Sequence, residues 1–486
     1  MTGGRSAHLM TATLAEGCQK PVITYPSRMA PPRKLSLLLV LPLVACSKVG
    51  NPVPEPSEAP PPSEGPSETG APPIAGTPPD AGPGPQRDAG VPHVPDAGPI
   101  VEQPPPKPKP KPEACPGLFA DLALPTFELE LAPAEWAALQ KEHTEVVARM
   151  EAGLELEPYH PVLAFRHADR EVRDSAMIRL RGNPLWWPSQ QKMQFQISFN
   201  ELDANGRYRG LRKIVLDSGH YNRTHLRDRL AMSVLRDLGL PAPCVNHARL
   251  VVNGQFYGLF THIEKVDREF LERNFADPDG NLYKKGLELK TNEDEQPDTS
   301  RADTFWDTTD VAALEKLGDL DEWVRVWAVE ALLPDADGYW AGGWNFYLYD
   351  DPARGFVYVP WDFDLGFDNL PADTDPLTWH KQNDRFNGRP HVEAVLADPK
   401  WRKRFVEHLA WARRAYEPSV LQARIDAWAA QIEQEAQADV LAPWSFEEHR
   451  RGVRRLRQYV AERARFIDGW LERQRDEADA GVDAGP

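Results

Sequence analysis

Apolar positions follow three regimes along this chain. Residues 35–44 form one long apolar run, too short to span a bilayer. Over 51–112, aromatic and branched apolar residues almost vanish and Pro, Gly, Ala, Ser, Asp and Glu take over. Such a segment cannot bury enough surface to offset its ordering entropy, so 47–113 is expected to be a disordered linker. Beyond Cys115 periodic patterns set in. Alternation predicts strands over 126–131, 176–181 and 193–199. Helical spacing starts at Pro133, an allowed first-turn proline, and recurs over 224–238, where Gly239 and Pro241 signal the stop, and over 320–333. Asn253-Gly254 between 248–252 and 255–263 is the strongest short hairpin signal. A second hairpin is predicted from 346–349 and 356–359 across 350–355, and 399–475 reads as helix nearly throughout. Strands and hairpins first, helices after, predict an α+β fold: a sheet-rich N-terminal part, a helical C-terminal part, one folded domain over 114–475 and a disordered tail over 476–486.

Composition changes the picture at the N-terminus. Arg33 and Lys34 precede the apolar run, which ends Leu43-Val44-Ala45-Cys46. This order resembles a bacterial lipobox, with Cys46 lipidated after cleavage, against the alternative of an ordinary secretory peptide with a chance cysteine. Met29 lies just upstream, so 1–28 is read as an over-extended gene start and 29–46 as the signal peptide. Residues 104–112, with alternating Pro and Lys, are expected as extended polyproline II, and the recurring Asp-Ala-Gly at Asp80, Asp88, Asp96, Asp479 and Asp483 as low complexity. Together they predict an envelope-anchored monomer on the outer membrane or cell surface. In that oxidising setting Cys115 and Cys244 can pair, or Cys244 can stay buried and free. The net charge of −17 argues against a nucleic-acid partner and suits solubility or basic substrates.

Chemistry concentrates in 335–368. Asp337 sits on a loop, Asn345 enters a strand, and Asp362 and Asp364 follow the return strand. A hairpin brings its ends together, so Asn345 and Asp362 should be neighbours. Three carboxylates and a carboxamide are hard oxygen ligands, suited to Mg²⁺ or Mn²⁺. A lone Asp-x-Asp is a weak signal, and Asp350, Asp351 and Asp368 read as turn formers or solvated acids.

Several segments in order carry a family resemblance: Ile178-Arg179-Leu180-Arg181-Gly182-Asn183 with Lys192 and the strand after it, Leu226-Arg227, Leu238-Gly239-Leu240-Pro241, Val251-Val252-Asn253-Gly254, Tyr257-Gly258-Leu259, Glu264-Lys265-Val266-Asp267, Gly280-Asn281-Leu282-Tyr283-Lys284, Asn345-Phe346-Tyr347-Leu348-Tyr349 and Pro360-Trp361-Asp362-Phe363-Asp364. Together, over roughly 120–430, they resemble the CotH family of atypical protein kinases. The resemblance implies a divergent, two-lobed kinase-like fold, ATP with Mg²⁺ or Mn²⁺, and phosphorylation of Ser or Thr in secreted or coat proteins. Carried over residue by residue, it makes Asp337 the catalytic acid and Asn345 and Asp362 metal ligands, with Asp364 a second one. Lys192 becomes the phosphate-neutralising lysine, against a solvated strand lysine. Arg227 contacts phosphate or pairs with an acid, Glu264 pairs with a base or meets the nucleotide, and Lys284 is a further nucleotide contact. With no GxGxxG, Arg181-Gly182-Asn183 is the loop expected over the phosphates, and Trp186 and Trp187 stack on adenine or pack. The Asp337–Asn345 spacing exceeds that of protein kinases, which leaves Asp335 a rival to Asp337. A degenerate surface scaffold or adhesin is the competing reading.

Overall fold

The computed structural model describes residues 114–120, 123–153, 159–286, 288–295, 297–378 and 389–483. They belong to one compact unit. Lipidation at Cys46 and the 47–113 linker lie outside the described residues.

The first part is a closed barrel. Its elements are β1 (Thr126–Glu130), α1 (Pro133–Glu151), β2 (His160–His167), β3 (Arg170–Leu180), β4 (Phe195–Ser198), β5 (Lys213–Asp217), α2 (Arg227–Asp237), β6 (Val245–Val252) and β7 (Gln255–Ile263). The strands close in the order β1-β2-β3-β4-β5-β7-β6, and only the β1–β6 seam is parallel. Alternate residues such as Phe127, Phe165, Ile178, Phe195, Leu216 and Phe260 fill the interior, as a two-residue period requires. The β6–β7 turn carries Asn253 and Gly254 at φ +49° and +79°, the left-handed pair that matches strand twist. Asn253 Oδ1 also accepts the Leu131 N–H at 2.8 Å, fastening the turn to the end of β1. Cys115 and Cys244 form a disulfide across a sequence separation of 129.

The second part adds α3 (Arg268–Asn274), β8 (Asn281–Lys284), β9 (Glu288–Leu289), α4 (Ser300–Asp307), α5 (Val311–Leu317), α6 (Leu320–Leu332), α7 (Tyr339–Gly342), β10 (Phe346–Asp351), β11 (Gly355–Pro360), α8 (Pro390–Ala397), α9 (Pro399–Ala415), α10 (Pro418–Ala438) and α11 (Phe446–Asp483). A four-stranded sheet, β11-β10-β8-β9, is embedded among the helices. α6 is capped by Asp319, whose side chain accepts from the Asp321 and Glu322 N–H groups. Its apolar residues, Trp323, Val324, Trp327 and Val329 among them, are buried all round because β11 and α9 both pack on it.

The α+β order holds, and the structure corrects several bounds. α2 starts at Arg227 rather than 224 because His225 sits at φ +58°, which a helix cannot accept. β2 was not foreseen: its pattern is interrupted by Pro161. The first half of β3 is exposed and charged, so it shows no apolar alternation. α11 runs on to Asp483, past Arg475, where the domain was expected to end. Among the described residues no helix is long and apolar enough to cross a membrane.

Candidate active site

The β10–β11 hairpin does what the sequence required of it. Phe346 pairs with Pro360, the Trp361 N–H donates to the Asn345 carbonyl at 3.1 Å, and Asn345 and Asp362 flank the hairpin mouth at φ +42° and +62°. The loop after α6 is sewn to the segment beyond β11. Asp335 bridges Gly366, and the Phe367 N–H donates to the Pro334 carbonyl at 2.9 Å. Asp337 is held by its own N–H, which donates to Asp335 Oδ1 at 3.1 Å. From α2, Asp228 Oδ1 accepts the Phe363 N–H at 2.8 Å. From the end of β5, Asp217 accepts from Arg181 at 2.5 Å. Asp335, Asp337, Asp362 and Asp364 therefore gather with two acids that sequence reasoning missed, Asp217 and Asp228.

Burial and mutual repulsion raise these carboxyls. Asp362 is pushed up to about 8, by burial first and then by Asp228 and Asp217, with Arg181 opposing. Asp228 rises to about 6, burial leading. Burial also raises Asp337, and lifts Asp335 and Asp364 well above the usual range. Asp335 Oδ2 and Asp337 Oδ1 are buried without a hydrogen-bond partner. Among the described residues no three His, Cys, Asp or Glu side chains come together in a group that could hold a metal ion. The acids at the hairpin mouth are hard oxygen donors, the type that suits a divalent cation whose shell is completed by phosphate and water.

Beside the acids a cavity of about 690 Å³ opens between the barrel and the second sheet. Among the described residues six cations line it: Arg179, Arg181, Lys265, Lys284, Lys285 and Lys290. Three carboxylates face them, Glu142, Glu288 and Asp362. In a protein of net charge −17 this is a local excess of positive charge, which calls for an anion. Lys265 is lowered to about 7, by burial first, with Lys284, Arg179 and Arg181 adding repulsion against Asp267. Lys284 and Lys285 are also lowered, chiefly by burial; Lys285 lies over the Trp344 ring at 4.2 Å and feels Asp337 and Asp362. Arg181, Gly182 and Asn183 line the cavity, with Gly182 at φ +88°.

Other expected contacts fall elsewhere. Lys192 is 2% exposed and does not line the cavity; its ammonium donates to Asp439 at 2.5 Å and to the Leu259 carbonyl. It is neither a solvated strand lysine nor a cleft lysine, because Asp439 after α10 holds it. Glu264 is buried against Arg273 and accepts the Cys244 N–H at 2.8 Å, away from the cavity. Arg227 takes the acid-pairing alternative: its Nε donates to Asp368 at 2.9 Å and its Nη1 to the Asp364 carbonyl at 2.9 Å, bracing the acidic loop. Asp368 is thus an ion-pair partner rather than a solvated acid, as is Asp350 with Arg301; Asp351 forms the expected turn, its Oδ1 accepting the Ala353 N–H at 2.8 Å, and also pairs with Arg354. Trp187 packs into the barrel, donates to the Arg181 carbonyl at 2.8 Å and still lines the cavity. The Trp186 side chain lies outside the described residues. Lys265, inside a quoted motif, was overlooked because nothing local sets it apart from Glu264.

The sequence profile described as CotH kinase protein matches residues 178–467, more than half the chain. The chain belongs to the CotH kinase family. Related proteins include invasin CotH3 of Rhizopus delemar, 27% identical over an alignment of 191 residues, with 31% of each chain covered. Invasin CotH2 of the same organism is 26% identical over 179 residues, 30% of each chain. The inner spore coat protein H of Bacillus subtilis is 26% identical over 202 residues, 36% of this chain and 54% of that one. This chain therefore matches about a third of each invasin's length and about half of the coat protein's. The CotH match begins inside β3, so β1, α1 and β2 precede it although they complete the same barrel.

Proposed function

We propose that this chain is an envelope-anchored protein kinase that transfers the γ-phosphate of ATP to Ser or Thr hydroxyls of secreted or surface proteins. The observation that carries this reading is the cavity whose cationic wall adjoins the acids at the hairpin mouth. Lys265, Lys284, Lys285 and Arg181 face the triphosphate, and the 181–183 backbone covers it. Asp362 and Asn345, with Asp364, would hold Mg²⁺ or Mn²⁺, which when bound would neutralise phosphate charge. Asp337 takes the proton of the substrate hydroxyl as its oxygen bonds to the γ-phosphorus and the bond to the β,γ-bridging oxygen breaks, releasing ADP. Asp337 suits this role better than Asp335 because it is less buried; each has one oxygen without a partner, and Asp335 spends its other on the Asp337 N–H. The Leu43-Val44-Ala45-Cys46 order supports lipidation at Cys46, Ser47 after it supports sorting to the outer membrane, and the Pro- and Gly-rich composition of 51–112 supports a linker between anchor and domain. The disulfide suits an oxidising compartment.

The rival is a catalytically silent surface adhesin, favoured by the invasin names of two relatives and by the absence of Lys192 from the cavity. Incubating the purified chain with γ-labelled ATP and Mg²⁺ or Mn²⁺ separates the two. The kinase reading expects label on the chain itself or on a Ser-rich basic peptide. A folded chain that binds ATP without transferring label supports the adhesin.

A further inference from the structure

Glu142 has no part in the phosphate chemistry above, yet it lines the same cavity. It comes from α1, which packs against the turn at Pro184–Ser189, whereas the lysines come from the end of β7 and the β8–β9 region. Only 4% exposed, Glu142 has its Oε2 3.6 Å from His160 Nε2, and His160 Nδ1 meets Glu135 Oε2 at 2.9 Å. Its other oxygen, Oε1, is buried without a hydrogen-bond donor. A buried carboxylate oxygen left bare is costly, so a ligand that brings a donor is strongly preferred over one that does not. Leu180, Pro184 and Trp187 line the cavity too and offer apolar surface to a flat ring.

We propose that Glu142 accepts a hydrogen bond from the exocyclic amino group of the nucleobase, so that the cavity selects ATP over ITP. This rests on the nucleotide reading above, and it involves a residue outside the stretch 178–467 that carries the family match.

Calorimetry on the full chain with Mg²⁺ and ATP, ITP or 2′-deoxy-ATP tests it. ATP should bind about 10- to 100-fold more tightly than ITP, the range for a hydrogen bond to a charged group, and 2′-deoxy-ATP should bind like ATP. Glu142→Ala should erase the ATP advantage, and Glu142→Gln, whose amide nitrogen can donate to the 6-oxo group, should move the preference toward ITP; the wild-type comparison stands even if a variant fails to fold. Equal binding of ATP and ITP by the wild type overturns the proposal and leaves the nucleotide reading intact. So does a preference that survives in a folded Glu142→Ala chain, or one lost with 2′-deoxy-ATP rather than ITP, which assigns the donor to the sugar. Failure to bind any of the three overturns both.

Discussion

At the scale of single residues, the acids divide by task. Asp362→Asn removes a cation ligand and should abolish Mg²⁺-dependent ATP binding. Asp337→Asn should keep that binding and lower turnover by orders of magnitude, which calorimetry and label transfer resolve side by side. The lysines divide as sharply. Lys192→Met strands Asp439 in the interior, so it should cost about 3–5 kcal/mol and appear as a lower Tm. Lys265→Met should leave Tm near wild type and weaken ATP. The wild-type affinity should also depend on pH. The charged amine is the form that meets phosphate, and in the empty cavity it loses its proton at about 7. Above pH 7.5, where phosphate titration is nearly complete, ATP affinity should fall by up to about tenfold per pH unit, and the slope should flatten in Lys265→Met. Sequence placed Asn345 beside Asp362 because a hairpin makes its ends neighbours. It could not place Lys192, whose partner stands 247 positions away with no local trace.

Elements show the same division between local and distant causes. The two hairpins were legible because turn residues and alternating strands are short-range signals: Asn253-Gly254 for one, 350–355 for the other. The barrel was not. Its closure depends on β1 running parallel to β6 and on β5 meeting β7, pairings that no local pattern encodes. The 268–317 region gave no periodic signal, because its helices and strands are short and partly exposed. Nor could sequence decide whether Cys115 and Cys244 pair. Since the bond ties the segment before β1 to the start of β6, Cys115→Ser should lower stability by about 2–4 kcal/mol, read as a lower denaturation midpoint than the oxidised wild type shows.

For the whole molecule, the barrel, second sheet and helices close around the cavity, and its described lining residues lie between Glu142 and Asp362. A chain that begins at 114 should therefore match the full chain in Tm and ATP affinity. Mass spectrometry of the mature protein should find the diacylglyceryl group on Cys46; an unmodified N-terminus elsewhere defeats the anchoring proposal. The cross-link between Cys115 and Cys244 adds a matter of timing. The Cys244 N–H holds Glu264, and Lys265 is the next residue, so the sulfur pair sits one short link from the cavity wall. Where thiols are kept reduced that brace is missing. If the chain is an exported transferase, that brace would form only on arrival, and the proteins it passes on the way would be spared its attention.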